Sequence, residues 1–415
     1  MLQSLLAVLS TRFFPRPGDG LRIAPGWIAR SERDGSPSFP SSSLGTHLSS
    51  KLLLRPSLGT RLRRTARAWR PCVGWAAFTA LCVAINSALA VDETLQKFVY
   101  EKAEMGLPFR ISMYAPDEVT AKAAADAAYD RIAVLNGIFS DYDSDSELSR
   151  LSRTSGRGQA VPVSTPLWEV LVRAQQYAAR SDGAFDITVG PLVSLWRRAR
   201  QKQELPSPEL IAEMKARVGY KNLRLDPEHH TAELLIPEMR LDLGAIAKNY
   251  AVEDAIKVLK QHGITRALVG GSGDMTASDA PPGQPGWRIE VAPLDVPDAP
   301  PPQIIYLKNY GIATSGDMFQ HVEIGGKRYS HIVDPRTGYG LTDHSLVTVV
   351  APDCMIANGL TTSISVLGPE RGLKLVEETP GAAAHLVRKP GGKIEVVESS
   401  SWKDVPKAAP SPPPK

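Results

Sequence analysis

The sequence predicts an α+β fold in which helices and antiparallel strands are segregated along the chain. Apolar residues recur at helical spacing through the first part of the folded region, up to Val218. From Asn222 onward the pattern changes to short strand-like runs bounded by turn residues. No regular βαβ alternation links the two halves, which argues against a parallel α/β sheet.

In chain order, Phe98 to Tyr114 reads as extended structure broken at Met105-Gly-Leu-Pro108. Asp117 to Phe139 has Ala124, Ala127, Ala128, Ile132 and Leu135 at helical spacing. The polar run Ser140-Asp-Tyr-Asp-Ser-Asp-Ser146 leads into a short helix at Glu147 to Leu151. Leu167 to Arg180 is a helix, a further helical stretch follows Pro191, and another spans Ser207 to Val218. Asn222 to Leu225, Ala232 to Ile236 and Arg240 to Leu243 read as strands. Ala251 to Gln261 is a helix striped by Val252, Ala255, Ile256 and Leu259. Strands follow at Arg266 to Val269, Trp287 to Val291, Ile304 to Lys308, His321 to Ile324 and Ser345 to Val350. Met355 to Leu367 is a helix stopped by Gly368-Pro369, and Lys393 to Val397 is the last strand.

The 415 residues are 43% hydrophobic and 22% charged, a balance able to bury a core. The net charge is +4, but much of the basic excess lies before residue 75. No basic stripe with interleaved aromatics occurs, so nucleic-acid binding is not supported.

Residues 61–90 combine a basic flank, including Arg63-Arg64, with the apolar run Gly74 to Ala90 ending in Ala88-Leu-Ala90. This is the pattern of a cleaved signal peptide, with a membrane anchor as the alternative, and predicts an exported protein, periplasmic or associated with the outer side of the inner membrane. Residues 1–60, rich in Ser, Pro, Gly and Arg, read as a doubtful start or disordered leader. The folded domain is expected over 92–400, and 401–415 as a Pro-rich disordered tail. Of the three cysteines only Cys354 would survive cleavage, so no internal disulfide is expected. Its apolar surroundings predict a buried small hydrophobe.

Several segments have the residue types of a binding site. At Leu241-Asp-Leu-Gly-Ala-Ile-Ala-Lys248 a strand end turns into a helix, whose first N–H groups suit an anion. Lys248 can reach a phosphate and Asp242 can accept hydrogen bonds; a plain strand-to-helix turn is the alternative. In Ser330-His-Ile-Val-Asp-Pro-Arg-Thr-Gly338, His331 is a candidate general base toward a hydroxyl, or a histidine satisfied within a strand-turn. Gly183-Ala-Phe-Asp-Ile-Thr-Val-Gly-Pro191 is a loop able to meet a planar ligand or simply to link two elements. Ala357-Asn-Gly-Leu-Thr-Thr362 offers amide and hydroxyl oxygens one turn apart, for a hard cation or for helix capping.

Taken together and in order, these motifs resemble the ApbE family from Met105 to Leu375. The matching pieces are Met105-Gly, Ser140-Asp-Tyr142 with Ser146-Glu-Leu148, Gly183 to Leu192, Leu241 to Lys248, and Ser330 to Gly338 followed by the helix at Asn358 to Thr362. The resemblance implies one catalytic domain of the T-fold type. It also implies an FAD:protein FMN transferase. Such enzymes move the FMN half of FAD onto a Thr or Ser hydroxyl of a partner flavoprotein, often a membrane redox complex subunit, releasing AMP with Mg2+ assistance. Under it Met105, Tyr142, Ala184, Phe185, Asp186, Asp242, Lys248 and Ile332 line the FAD site and His331 is the base. Ala245 through its carbonyl, Asn358 and Thr362 hold the metal. Asn358 stands where the family usually has Asp, Asn249 where it has Gly, Glu253 where it has Asp, and Ser272-Gly-Asp274 where it has Gly-Gly-Asp. Loss of a carboxylate at 358 leaves the alternative of an FAD-binding protein without turnover; a third expectation is a pyrophosphatase giving FMN and AMP, with water in place of the acceptor hydroxyl.

Overall fold

The computed structural model describes residues 95–318 and 320–408, so the leader, the signal segment and the tail beyond 408 lie outside the described residues. Strand β1 (Gln96–Glu104) and β2 (Leu107–Ala115) form a hairpin turning at Met105-Gly106. Both turn residues have positive φ. On β2 the inward residues Phe109, Ile111 and Met113 are fully buried. Each contributes roughly 1.5–3 kcal/mol of burial.

The hairpin joins a sheet with β6 (Ala267–Gly271), β7 (Asp274–Ala277), β10 (Tyr310–Gly316), β13 (Ser345–Ala351), β14 (Ala383–Arg388) and β15 (Glu395–Glu398). The order is β1-β2-β6-β7-β10-β13-β14-β15, and every pairing is antiparallel. Three smaller sheets accompany it: β3 (Val161–Pro162) with β5 (Thr231–Leu234) and β4 (Leu223–Asp226), β8 (Trp287–Val291) with β9 (Gln303–Leu307), and β11 (His321–Ile324) with β12 (Lys327–Ser330). Gly325-Gly326 makes the β11–β12 turn, both residues at positive φ.

Helices cover the large sheet. α1 (Glu118–Phe139) starts at its cap Asp117, whose side chain accepts from Thr120 N at 2.8 Å. α2 (Glu147–Ser152) is capped in the same way by Ser146. α3 (Thr165–Arg180), α4 (Gly190–Lys202) and α5 (Pro208–Lys215) follow, each with proline in its first turn, where no donor is lost. α6 (Ala247–Gln261) packs against α1, and both share one core with β2 and β6. α7 (Cys354–Leu367) lies on β10 and β13, with α8 (Pro369–Glu377) beside it. Gly311 permits the close approach of α7, because a Cβ there would collide with the backbone of Asp353 and Cys354. Cys354 is fully buried, as its surroundings predicted.

The segregated α+β reading holds, with corrections in detail. Arg240 to Leu243 is not a strand: only Arg240 makes a single parallel bridge, to Val189. Asp242 Oδ1 accepts from Gly244 N at 2.8 Å, and this local turn competes with sheet pairing. The helix read from Ala251 begins at Ala247. Strands β7, β10 and β14 and helix α8 were not anticipated. Gly368 ends α7, yet it also begins α8, with Pro369 at its first position. The domain also passes residue 400. Ser400–Asp404 form a 3-10 turn, Trp402 is 0% exposed, and Tyr306 N donates to Pro406 O at 2.8 Å. The indole packs against His385 with ring centroids 5.3 Å apart. Truncating Trp402→Ala is expected to cost about 3–5 kcal/mol by denaturant unfolding. An unchanged midpoint would restore the boundary at 400.

Candidate functional site

Two clusters of polar side chains gather the motifs. The first forms around Arg197, two turns into α4. The start of that helix is pinned because Gly190 lies against the Arg240 carbonyl, where a Cβ would not fit. Asp242 N donates to Ile187 O at 2.8 Å, so the 183–191 and 241–248 segments run side by side. The Arg197 guanidinium pairs with Asp141 and with Asp242 Oδ2 at 3.0 Å. It also lies 4.4 Å from the centre of the Tyr142 ring. Tyr142 itself is 79% exposed, so it offers an open aromatic face backed by a cation. Burial and Asp141 push the Asp242 carboxyl above the usual carboxylate range, with Arg197 opposing them.

The second cluster is buried around Asp274 on β7. Its Oδ2 receives Lys248 Nζ at 2.9 Å, Asn249 Nδ2 at 2.8 Å and Asn358 Nδ2 at 3.0 Å. Its Oδ1 receives Thr314 N at 3.0 Å. Asn358 Nδ2 also donates to Asn249 Oδ1 at 2.5 Å, and Thr362 Oγ1 donates to Asn358 Oδ1 at 3.3 Å. Asn358 and Thr362 are one turn apart on α7 and share a face. The start of α7 is held from outside: Glu253 Oε1 accepts from Cys354 N at 2.7 Å, and Asp353 caps Ile356 N at 2.7 Å.

His331 follows β12. Its Nδ1 lies 3.0 Å from the Gln320 carbonyl oxygen, which only accepts. Nδ1 therefore carries the proton, leaving the Nε2 lone pair available. Burial pushes the ring down to about 4, and the charges of Arg200 and Lys248 add to it against the Gln320 bond and Asp317. The ring is thus neutral near pH 7 and competent as a base.

The remaining sequence-predicted residues are placed as follows. Met105 occupies the β1–β2 turn and packs on the main core. Ala184 and Phe185 are buried, with Phe185 edge-on to Tyr177 at 5.5 Å. Asp186 Oδ1 accepts from Thr188 N and Oγ1, and Oδ2 from Tyr220 N at 2.9 Å. The side chains of Phe185 and Asp186 thus brace the 183–191 loop from inside. Ile332 is half-buried, its N bonded to Ser330 Oγ at 3.1 Å. Ala245 lies just before α6. Sequence reasoning missed Arg197, Arg200 and the role of Asp274. No local pattern marks either arginine, whereas the position of Asp274 in Ser272-Gly-Asp274 was a usable signal.

Arg197 carries a prediction. Arg197→Leu leaves Asp141 and Asp242 without their shared cation, with Asp242 only 8% exposed. The variant is expected to lose about 3 kcal/mol in chemical denaturation, and a loss below about 1 kcal/mol would mark the pairs as peripheral.

Fold and clusters together define an α+β domain that carries arginine, lysine and histidine side chains, suited to an anionic ligand. The chain belongs to the ApbE family, whose model matches residues 105–386. It is 31% identical over 334 residues to the FAD:protein FMN transferase of Haemophilus influenzae, covering 78% of this chain and 95% of that protein. It is 30% identical to the Escherichia coli K12 protein of the same name, covering 74% and 88%. Among solved structures, the apo flavinyl transferase ApbE of Pseudomonas stutzeri superposes with a TM-score of 0.67 at 30% identity, covering 76% of this chain and 98% of that one. The Vibrio cholerae flavin transferase ApbE gives 0.67 at 30% identity, covering 75% and 99%.

Proposed function

We propose that this protein transfers the FMN moiety of FAD to a Thr or Ser hydroxyl of a partner protein and releases AMP. The observation that carries the reading is the Nδ1 contact of His331 with the Gln320 carbonyl at 3.0 Å, which leaves Nε2 to take a proton. In the step proposed, Nε2 takes the proton of the acceptor hydroxyl. The hydroxyl oxygen bonds to the phosphorus on the FMN side, the pyrophosphate P–O bond breaks, and AMP leaves with the electron pair. Lys248, held by Asp274, and Arg200 offset the negative charge of the phosphates. Tyr142 gives an exposed ring on which a planar group can stack.

The donor set also fits Mg2+, a hard cation that prefers oxygen. Among the described residues no group of three or more His, Cys, Asp or Glu side chains could hold a metal, so the ligands would be of other types. Asn358 Oδ1, Thr362 Oγ1 and the Ala245 carbonyl would hold it, with the Asp274 charge behind them. Bound there, it would neutralise pyrophosphate charge. The apolar segment before Ala90 supports export, and among the described residues no helix is long and apolar enough to cross a membrane. A membrane redox complex subunit on the outer side of the membrane is the proposed class of acceptor.

The test is incubation of the protein with FAD, Mg2+ and an exported flavoprotein bearing an acceptor threonine. Flavin fluorescence that stays with the denatured acceptor band, matched by equal AMP, is expected. AMP without labelled acceptor would select hydrolysis instead, and neither product would leave only FAD binding.

A further inference from the structure

Asn249 and Asn358, two of the positions where this sequence departs from the motifs it resembles, touch each other. Both are buried, and both are bonded to the same carboxylate oxygen of Asp274. A carboxylate of this kind only accepts. Each amide must therefore turn its NH2 toward Asp274, which fixes both side chains without ambiguity between nitrogen and oxygen.

The hydrogen count then closes. Asn249 Nδ2 has two protons, given to Asp274 Oδ2 at 2.8 Å and to Cys354 Sγ at 3.1 Å. Asn358 Nδ2 has two, given to Asp274 Oδ2 at 3.0 Å and to Asn249 Oδ1 at 2.5 Å. Asn249 Oδ1 is thus the acceptor that consumes the second Asn358 proton. What remains on Asn358 is its carbonyl oxygen, facing Thr362 Oγ1 at 3.3 Å with a lone pair to spare.

We infer that Asn249 is a positioning residue: it locks the Asn358 amide oxygen outward, so that a neutral amide serves where a carboxylate would otherwise stand. The cation-facing role of that oxygen rests on the metal reading above; the interlock itself does not. Asn358→Asp would set the oxygen that replaces Nδ2 against both Asn249 Oδ1 and Asp274 Oδ2, with no proton between them. Asn249→Ala would remove the first of these conflicts. The two positions are therefore coupled, and substitution of one changes what the other tolerates.

The experiment uses the full-length chain in two separate measurements. The first is a thermal double-mutant cycle in chelator, with Asn249→Ala, Asn358→Asp and both together. Asn358→Asp alone is expected to lower the melting temperature by about 5 °C. In the Asn249→Ala background the same substitution is expected to cost less than half as much. Additive shifts would overturn the interlock. The second measurement is Mn2+ binding by electron paramagnetic resonance with FAD present. Asn249→Ala is expected to weaken it about tenfold, as loss of a group that orients a ligand typically does. Affinity equal to wild type would overturn the positioning role. A wild-type protein that binds no Mn2+ would contradict the metal reading, and with it the cation-facing role, whereas failure of the interlock is read from the metal-free cycle.

Discussion

Replacing His331 with alanine is expected to lower the rate of flavin transfer by roughly a hundredfold to ten-thousandfold, the range of a lost general base. FAD affinity, read by fluorescence titration, should change little, because the base acts on the acceptor hydroxyl. A variant within tenfold of wild type would remove His331 from that role. The pH profile gives a second reading. The ring is pushed down to about 4 in the free protein, so protonation should not limit kcat/KM as pH falls from 8 to 6. Folding shows the same sign. With a histidine pKa below its unfolded value, the unfolded chain binds more protons between the two, so this residue's contribution to stability is lost as pH falls through that window. A limb of kcat/KM centred near the ordinary histidine value of 6.5 would contradict the desolvated, cation-flanked setting of the ring.

Asp274→Ala is expected to have the largest effect on stability. The carboxylate is fully buried and accepts from Lys248, Asn249, Asn358 and Thr314. Its removal strands a largely buried ammonium and two amides at once. Breaking a buried pair by deleting one partner costs about 3–5 kcal/mol, and the orphaned amides add to it. Urea unfolding with an unchanged slope should show a loss at or above that range. Asp274→Asn keeps the shape but sets a donor against donors, so it should fall between the alanine variant and wild type. A loss below about 1 kcal/mol would mean that water readily replaces the carboxylate and that the cluster does not organise α6, β7 and α7.

Much of the fold was legible because it follows local rules. Asp117, Ser146, Ser207 and Asp353 cap helices, and the Gly325-Gly326 hairpin sits where the turn residues indicate. The missed strands have two causes. Strands β7 and β14 are buried along almost their whole length, so they lack the alternation that marks a strand with one wet face. β10 carries glycines at both ends, which read as turns until the packing of α7 explains Gly311. At Arg240 to Leu243 the apolar alternation suggested a strand, and the Asp242 side chain overrode it by bonding Gly244 N.

The site was legible in its motifs and not in its connections. His331, Lys248 and Asp242 stand out because of what each can do alone. That Arg197 joins Asp141, Tyr142 and Asp242, or that Asn249 meets Asn358 over Asp274, depends on contacts between positions 25 to 109 residues apart. Asn358, read from the sequence as a weakened metal ligand, gains a different meaning from its neighbours, since both protons of its nitrogen are engaged and its oxygen accepts from Thr362 Oγ1.

Intact-mass and peptide mass spectrometry of an acceptor flavoprotein coexpressed with this protein decides whether it attaches FMN to protein. An added mass equal to FMN less water is expected, located on one Thr or Ser and absent when His331→Ala replaces the wild type. An acceptor that stays unmodified beside folded, FAD-loaded wild-type protein with divalent metal present would contradict it.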